Sequence, residues 1–248
     1  MKFHPQLFSA TLIKRYKRFL ADVILPDNSE ITVHCPNPGA MLGLNKPGSK
    51  IWISKSDNPK RKLAYTFELI EIENNKNNKT PAKTLVGVNT NIANKIAREA
   101  IEAGILSSIP EHSTIIPEQK YGKNSRIDFL IKTPNDDLIY LEVKSVTLIR
   151  STSPQSGLYE FPDSVTKRGT KHLEELINVV QNGHRAIMLF LTQRDDGHKF
   201  AIAKDIDPKY FAAFTQAHLA GVEMVCIQCK ASNEGIFPDK LVEIILEP

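Results

Sequence analysis

Cysteine is scarce in this sequence, with three among 248 residues. Three thiols cannot build a disulfide framework, and so few suit a reducing compartment. Cys226 and Cys229 form a C-x-x-C, a spacing used by many zinc sites. They fall in a strand-like run, where a separation of three puts the thiols on opposite faces. No second pair accompanies them and Cys35 stands far away, so a four-ligand zinc centre is not expected. Long apolar runs are missing too, since nothing approaches the roughly 20 residues that span a bilayer. The opening Met1-Lys2-Phe3-His4-Pro5 has no apolar stretch of the kind a signal peptide carries. A cytoplasmic protein with no membrane partner is therefore expected. There is no internal repeat, and no helix-turn-helix with a readable recognition helix.

What remains is an ordinary globular composition, 41% hydrophobic and 24% charged. The net charge of +4 is unevenly placed. Residues 1–80 carry 13 Lys+Arg against 7 Asp+Glu, while 81–248 carry 19 against 21. A basic front on a mildly acidic back suits a polyanion partner, although a solvated lysine-rich surface gives the same count.

Short β-runs fill the front: Phe8 to Ile13, Phe19 to Leu25, Glu30 to His34, Lys50 to Ser54 and Tyr65 to Ile70. Turn signals at Pro26-Asp27-Asn28-Ser29 and Pro36-Asn37-Pro38-Gly39 separate them. Five short strands suit a small barrel. The polar segment 74–79 reads as a linker. It divides the chain into 1–80, a barrel, and 81–248, where helices and strands mix in an α/β or α+β core. In that second part Thr90 or Asn91 can cap a helix to Ala103, with Gly104 beyond it. Its apolar arc is Ile92, Ile96, Ala100 and Ala103, and Glu99 lies within about 20° of the same line. A carboxylate there needs a partner. A second helix runs from about Thr166 to Asn182, and a third opens at Asp207-Pro208.

The chemistry concentrates in one hairpin. Ile127, Phe129 and Ile131 alternate with Asp128, and Ile139, Leu141 and Val143 alternate with Glu142 and Lys144. A turn at Thr133-Pro134-Asn135-Asp136-Asp137 centres the pairing on Asn135. Phe129 then faces Leu141, and Asp128 faces Glu142 with Cβ atoms about 5 Å apart. Two such carboxylates repel unless a cation or proton joins them. A hard divalent ion, Mg²⁺ or Mn²⁺, answers that need, with Glu99 as a third carboxylate. Lys144 would face the charge that grows on a phosphate. An exposed hairpin edge with Glu142 paired to Lys144 fits the same spacing.

Further cations frame this hairpin. Lys14, Arg15, Lys17 and Arg18 surround Tyr16 and could meet phosphates, with Tyr16 or Trp52 stacking a base. Trp52, between Ile51 and Ile53, fits core packing as well. Arg168 and Lys171 sit near a helix N-terminus that favours anions. Lys167, Lys171 and Glu175 form a polar helix face. His34 and Cys35 point to opposite sides of a strand and cannot form a dyad.

The acid–acid–lysine arrangement resembles the PD-(D/E)xK nuclease superfamily. The whole chain resembles the sugar fermentation stimulation protein A family. That likeness is carried by His34-Cys35-Pro36-Asn37-Pro38-Gly39-Ala40-Met41, Ser125-Arg126-Ile127-Asp128-Phe129-Leu130, Leu141-Glu142-Val143-Lys144-Ser145-Val146-Thr147-Leu148, and Phe161-Pro162-Asp163-Ser164-Val165-Thr166-Lys167-Arg168-Gly169-Thr170-Lys171-His172-Leu173. The resemblance implies an N-terminal OB-like β-barrel and a restriction-endonuclease-like mixed-sheet domain with flanking helices. It also implies DNA binding and a regulatory role in sugar (maltose) utilisation. Asp128 and Glu142 would then be the metal acids, Lys144 the catalytic lysine and Glu99 the helix acid. Ile127 stands where the superfamily has proline, which removes no ligand. Two functions follow: a Mg²⁺- or Mn²⁺-dependent nuclease that grips DNA with weak sequence specificity, or a non-catalytic DNA-binding regulator on the same fold. An RNA-directed version of the first and a homodimer stay open.

Overall fold

The computed structural model describes residues 1–74, 82–122, 125–150 and 157–246. The chain opens with strands β1 (Phe8–Tyr16), β2 (Leu20–Ile24), β3 (Glu30–His34), β4 (Lys50–Lys55), β5 (Tyr65–Asn74) and β6 (Ala82–Gly87). Their order is β3-β2-β1-β4-β5-β6, and a β3–β5 pairing at His34 and Thr66 closes the first five into an OB-like barrel. Period-two alternation puts Ala10, Leu12, Val23, Val33, Ile51, Ile53 and Phe67 into one interior. β6 pairs antiparallel with β5 and still belongs to this sheet. The barrel's sheet therefore extends past residue 80 to Gly87, because β5 and β6 pair antiparallel; the expected linker at 74–79 lies, beyond Asn74, outside the described residues.

The second domain begins with a 3₁₀ turn capped by Asn89, then α1 (Ala93–Glu102). Next come β7 (Thr114–Tyr121), β8 (Ser125–Lys132), β9 (Leu138–Val146), β10 (Leu148–Ile149), β11 (Leu158–Phe161) and α2 (Lys167–Gln181). The chain continues through β12 (Arg185–Thr192), β13 (Lys199–Ile202), α3 (Pro208–Leu219), β14 (Glu223–Ser232), β15 (Gly235–Leu241) and β16 (Glu243–Ile244). The main mixed sheet runs β15-β14-β12-β9-β8-β7, with β9, β12 and β14 parallel. β12 is buried on both faces, which explains its continuous apolar run. α1 covers one face, and α2 with α3 the other, so two cores flank the sheet. β10, β11, β13 and β16 make a small second sheet beside them. Among the described residues no helix is long and apolar enough to cross a membrane.

The two domains are in direct contact. Gly87 N–H donates to the Gln193 carbonyl at 2.7 Å, and a Cβ on Gly87 would lie 2.6 Å from Gln193 Oε1. Glu68 of the barrel accepts from Ser54 and Asn89, and Gln193 donates to the Asn89 carbonyl and to Ser145 Oγ. Trp52 packs against the α1-side core and Lys50 sits 4.9 Å over its ring, so its main role is core packing.

Candidate metal and phosphate site

The β8–β9 hairpin takes the register that alternation dictates: Phe129 pairs with Leu141 and Ile131 with Ile139. The ladder ends there. Beyond it Asp128 uses its carboxylate in place of a backbone bond, with Oδ2 accepting from Val143 N–H and Oδ1 from Asn94 Nδ2, each at 2.8 Å. On the other edge of β9, the parallel β12 fixes Glu142 beside Met188 and Lys144 beside Phe190. Glu142 is only 3% exposed. Its Oε1 accepts from Lys144 Nζ at 2.7 Å and from His172 Nδ1, while its Oε2 is buried with no partner among the described residues.

Burial raises the carboxyl of Asp128 above its ordinary range, and the neighbouring Glu142 charge adds to that. Burial also pushes Glu142 upward, but the bonds and charges of His172 and Lys144 outweigh it and hold the group low. The two carboxyls are thus pushed in opposite directions, as two like charges close together in one buried site favour.

No group of three or more His, Cys, Asp or Glu among the described residues is arranged to hold a metal. The donor set is smaller, Asp128 and Glu142 with its orphaned Oε2. That set suits Mg²⁺ or Mn²⁺, which commonly take one or two carboxylates and complete their shell with water and phosphate. Glu99 is not part of it. Its carboxylate pairs with the Met1 ammonium, which supplies the partner an acid on that face needs. Asn94 is the α1 residue that reaches Asp128. Glu99, five residues on, lies about 140° round the helix and about 7.5 Å along it.

These side chains floor a cleft of about 1020 Å³ lined by both domains. The barrel contributes Arg18, Asn37, Pro38 and Gly39; the second domain adds Asn94, Glu118, Ser145, Asp163, Lys167, Arg168 and His172. Thr166 caps α2, accepting from Gly169 N–H, so the positive end of that helix opens on the cleft. Asp163 accepts from Met41 N–H at 2.8 Å and clasps the two domains at the rim.

The predicted phosphate contacts divide. Arg18 and Arg168 line the cleft, and Lys17 stands exposed beside Arg18. Lys14 pairs with Asp22 at 3.6 Å. Arg15 faces inward, and its guanidinium donates to the carbonyls of Arg18, Asn37, Gly39 and Ala40. It is a structural clamp on the 37–40 loop rather than a phosphate contact. Lys171 lies outside the cleft lining, 3.2 Å from Ser125 Oγ and 3.5 Å from Glu175. Glu175, expected on a polar helix face with Lys167 and Lys171, is buried. Tyr16 donates to Asp22.

Asn94, Asp163 and His172 are functional neighbours that periodicity did not assign. His172 had a signal: it shares a face with Gly169, Leu173 and Leu176, all buried. Cys226 and Cys229 belong to the cores on opposite sides of the sheet, and burial pushes the Cys229 thiol up to about 12. Cys35 lies in the barrel core.

Two family models match the chain. "SfsA N-terminal OB domain" covers residues 13–86, and "Sugar fermentation stimulation protein RE domain" covers 91–235. A sugar fermentation stimulation protein homolog of Bartonella henselae is 50% identical over 98% of both chains. One from Ruegeria sp. is 49% identical over 95% of this chain and 97% of its own. A solved structure, Pyrococcus furiosus SfsA in complex with Ca²⁺, superposes with a TM-score of 0.83 at 24% identity, covering 99% of this chain and 98% of that one.

Proposed function

We propose that this chain, which belongs to the sugar fermentation stimulation protein family, binds DNA and carries a divalent-metal-dependent phosphodiesterase site. One observation carries the reading: Asp128 and Glu142, whose buried Oε2 has no partner among the described residues, lie beside Lys144 on the floor of a cleft walled by both domains. A solvated hairpin edge would not bury Glu142 or leave one of its oxygens without a partner. The relative crystallised with Ca²⁺ supports a hard, oxygen-seeking cation for the family.

Asp128 and Glu142 would hold Mg²⁺ or Mn²⁺. When bound, the ion would polarise a phosphoryl oxygen and acidify a water. Lys144, anchored on Glu142, faces the charge that develops as the phosphorus adds its fifth oxygen. Arg18, Lys17, Lys167, Arg168 and the α2 N-terminus draw the backbone phosphates along the cleft. In this reading these groups meet backbone phosphates, which carry no sequence information, so weak sequence specificity is expected.

A second reading, a DNA-binding regulator without turnover, is favoured by the engagement of Glu99 with Met1, which takes the third carboxylate out of the predicted metal set of Asp128, Glu142 and Glu99. The link to sugar metabolism rests on the family's name. Plasmid and single-stranded DNA incubated with Mn²⁺ decide between the readings. Cleavage by wild type that falls sharply in Lys144→Ala and Asp128→Asn supports the nuclease. Binding without cleavage in wild type supports the regulator.

A further inference from the structure

Two donors reach Glu142 and converge on the same oxygen. Lys144 Nζ and His172 Nδ1 both meet Oε1, and Oε2 receives nothing from the described residues. Across the imidazole ring, Arg168 Nε donates to His172 Nε2 at 3.3 Å. A guanidinium keeps its protons, so the nitrogen that accepts from it is bare. The ring proton therefore sits on Nδ1 and faces Glu142. Lys144 Nζ is 3.4 Å from that same Nδ1, which has no lone pair to offer while protonated, so the ammonium gives its bond to Oε1 instead.

We infer that His172 is the positioning residue of this site: held by Arg168 as the Nδ1–H tautomer, it pins Oε1 of Glu142 and so presents Oε2 to a divalent cation. The inference rests on the metal-site reading above. His172 is 4% exposed, and its neighbours Gly169, Leu173 and Leu176 are buried, so the ring has no room to turn away. Arg168 commits Nε to the ring, and its terminal amino groups make no hydrogen bond among the described residues. They remain for an anion. The residue that meets a phosphate is then the one that sets the tautomer behind the acid, which couples phosphate binding to cation binding.

Two measurements on the full chain test this. In a two-bond ¹H–¹⁵N spectrum, His172 is expected as the Nδ1–H tautomer, with its signals identified by their loss in His172→Asn. Arg168→Met should mix the tautomers. An Nε2–H ring in wild type overturns the inference. Mn²⁺ alone, titrated calorimetrically, gives the second readout. His172→Ala should bind it about 10- to 100-fold more weakly, the range for removing a group that orients a metal ligand. His172→Asn, whose amide N–H reaches the Nδ1 position, should recover most of that loss. His172→Gln, which reaches the Nε2 position, should not. If the Ala variant does not fold, the Asn–Gln contrast and the tautomer still decide. Equal Mn²⁺ affinity in wild type, Asn and Gln proteins overturns the inference and leaves the metal reading intact. No Mn²⁺ binding by wild type overturns the metal reading and this inference with it.

Discussion

Asp128, Glu142 and Lys144 could be paired from the sequence because a hairpin has one register that keeps its apolar residues on one side, and the Phe129–Leu141 and Ile131–Ile139 pairs follow it. Glu99 could not be placed that way. Its angle on α1 says which side it faces, not which group waits there, and the Met1 ammonium was invisible to periodicity. Lys144 and Glu99 therefore make different predictions. Lys144→Ala should slow cleavage by about 10²–10³, the range for losing a group that stabilises developing charge, with DNA affinity little changed. Glu99→Gln should leave cleavage as it was and cost about 0–1 kcal/mol of stability, as a partly exposed ion pair does. Single-turnover cleavage and urea unfolding of the two variants separate these effects. A cleavage defect in Glu99→Gln would return that acid to the site.

At the scale of elements, the 37–40 loop and the β1–β2 turn are the pieces whose role came from packing. Lys17 and Arg18 occupy left-handed backbone at φ 48° and 62° in the three-residue connection (17–19) between the paired Tyr16 and Leu20. Arg15 holds both pieces through four carbonyls. Arg15→Met should lower stability by about 1 kcal/mol, because it removes the donor shared by three part-buried carbonyls of the 37–40 loop. Arg18→Ala should leave stability unchanged and weaken DNA binding. Denaturation midpoints and filter-binding affinities should therefore move in opposite variants. Gly39 gives a third handle at this scale. A Cβ there would collide with the Asp163 carboxylate, so Gly39→Ala should push Asp163 off Met41 N–H and loosen the barrel from the rim of the cleft. Faster proteolysis between residues 36 and 41 would show it, and an unchanged digest would count against the clasp.

For the whole molecule, the cleft lies between the barrel and the mixed sheet, so DNA affinity should depend on both. Its logarithm should fall linearly with the logarithm of salt. Replacing Arg18 and Arg168 together should flatten that slope by up to about 0.9 per lost phosphate contact. A slope unmoved by the double variant would place the DNA elsewhere. The interface also carries a pH signature. Burial raises the Glu68 carboxyl, against the bonds from Ser54 and Asn89. The folded state then holds this proton more tightly than the unfolded chain. Its contribution to stability is full at low pH and is lost as pH rises through the folded value. Wild type should accordingly lose thermal stability relative to Glu68→Gln as pH climbs from acid to neutral.

Local order was legible in the sequence wherever neighbours along the chain decide it. The strand pattern, the β8–β9 register, the start of α2 near Thr166 and the opening of α3 at Asp207-Pro208 all follow from side-chain period, turn chemistry and backbone sterics. The acid pair and its lysine come from the same logic. Distant partners did not. β6 lies beyond a polar segment that resembles a linker, and only its pairing with β5 returns it to the barrel. The inward turn of Arg15, the pairing of Glu99 with Met1, and the His172–Arg168 contact behind Glu142 arise between segments far apart in sequence or on a buried face. Alternation assigns a side chain to a face; packing alone assigns what it meets there.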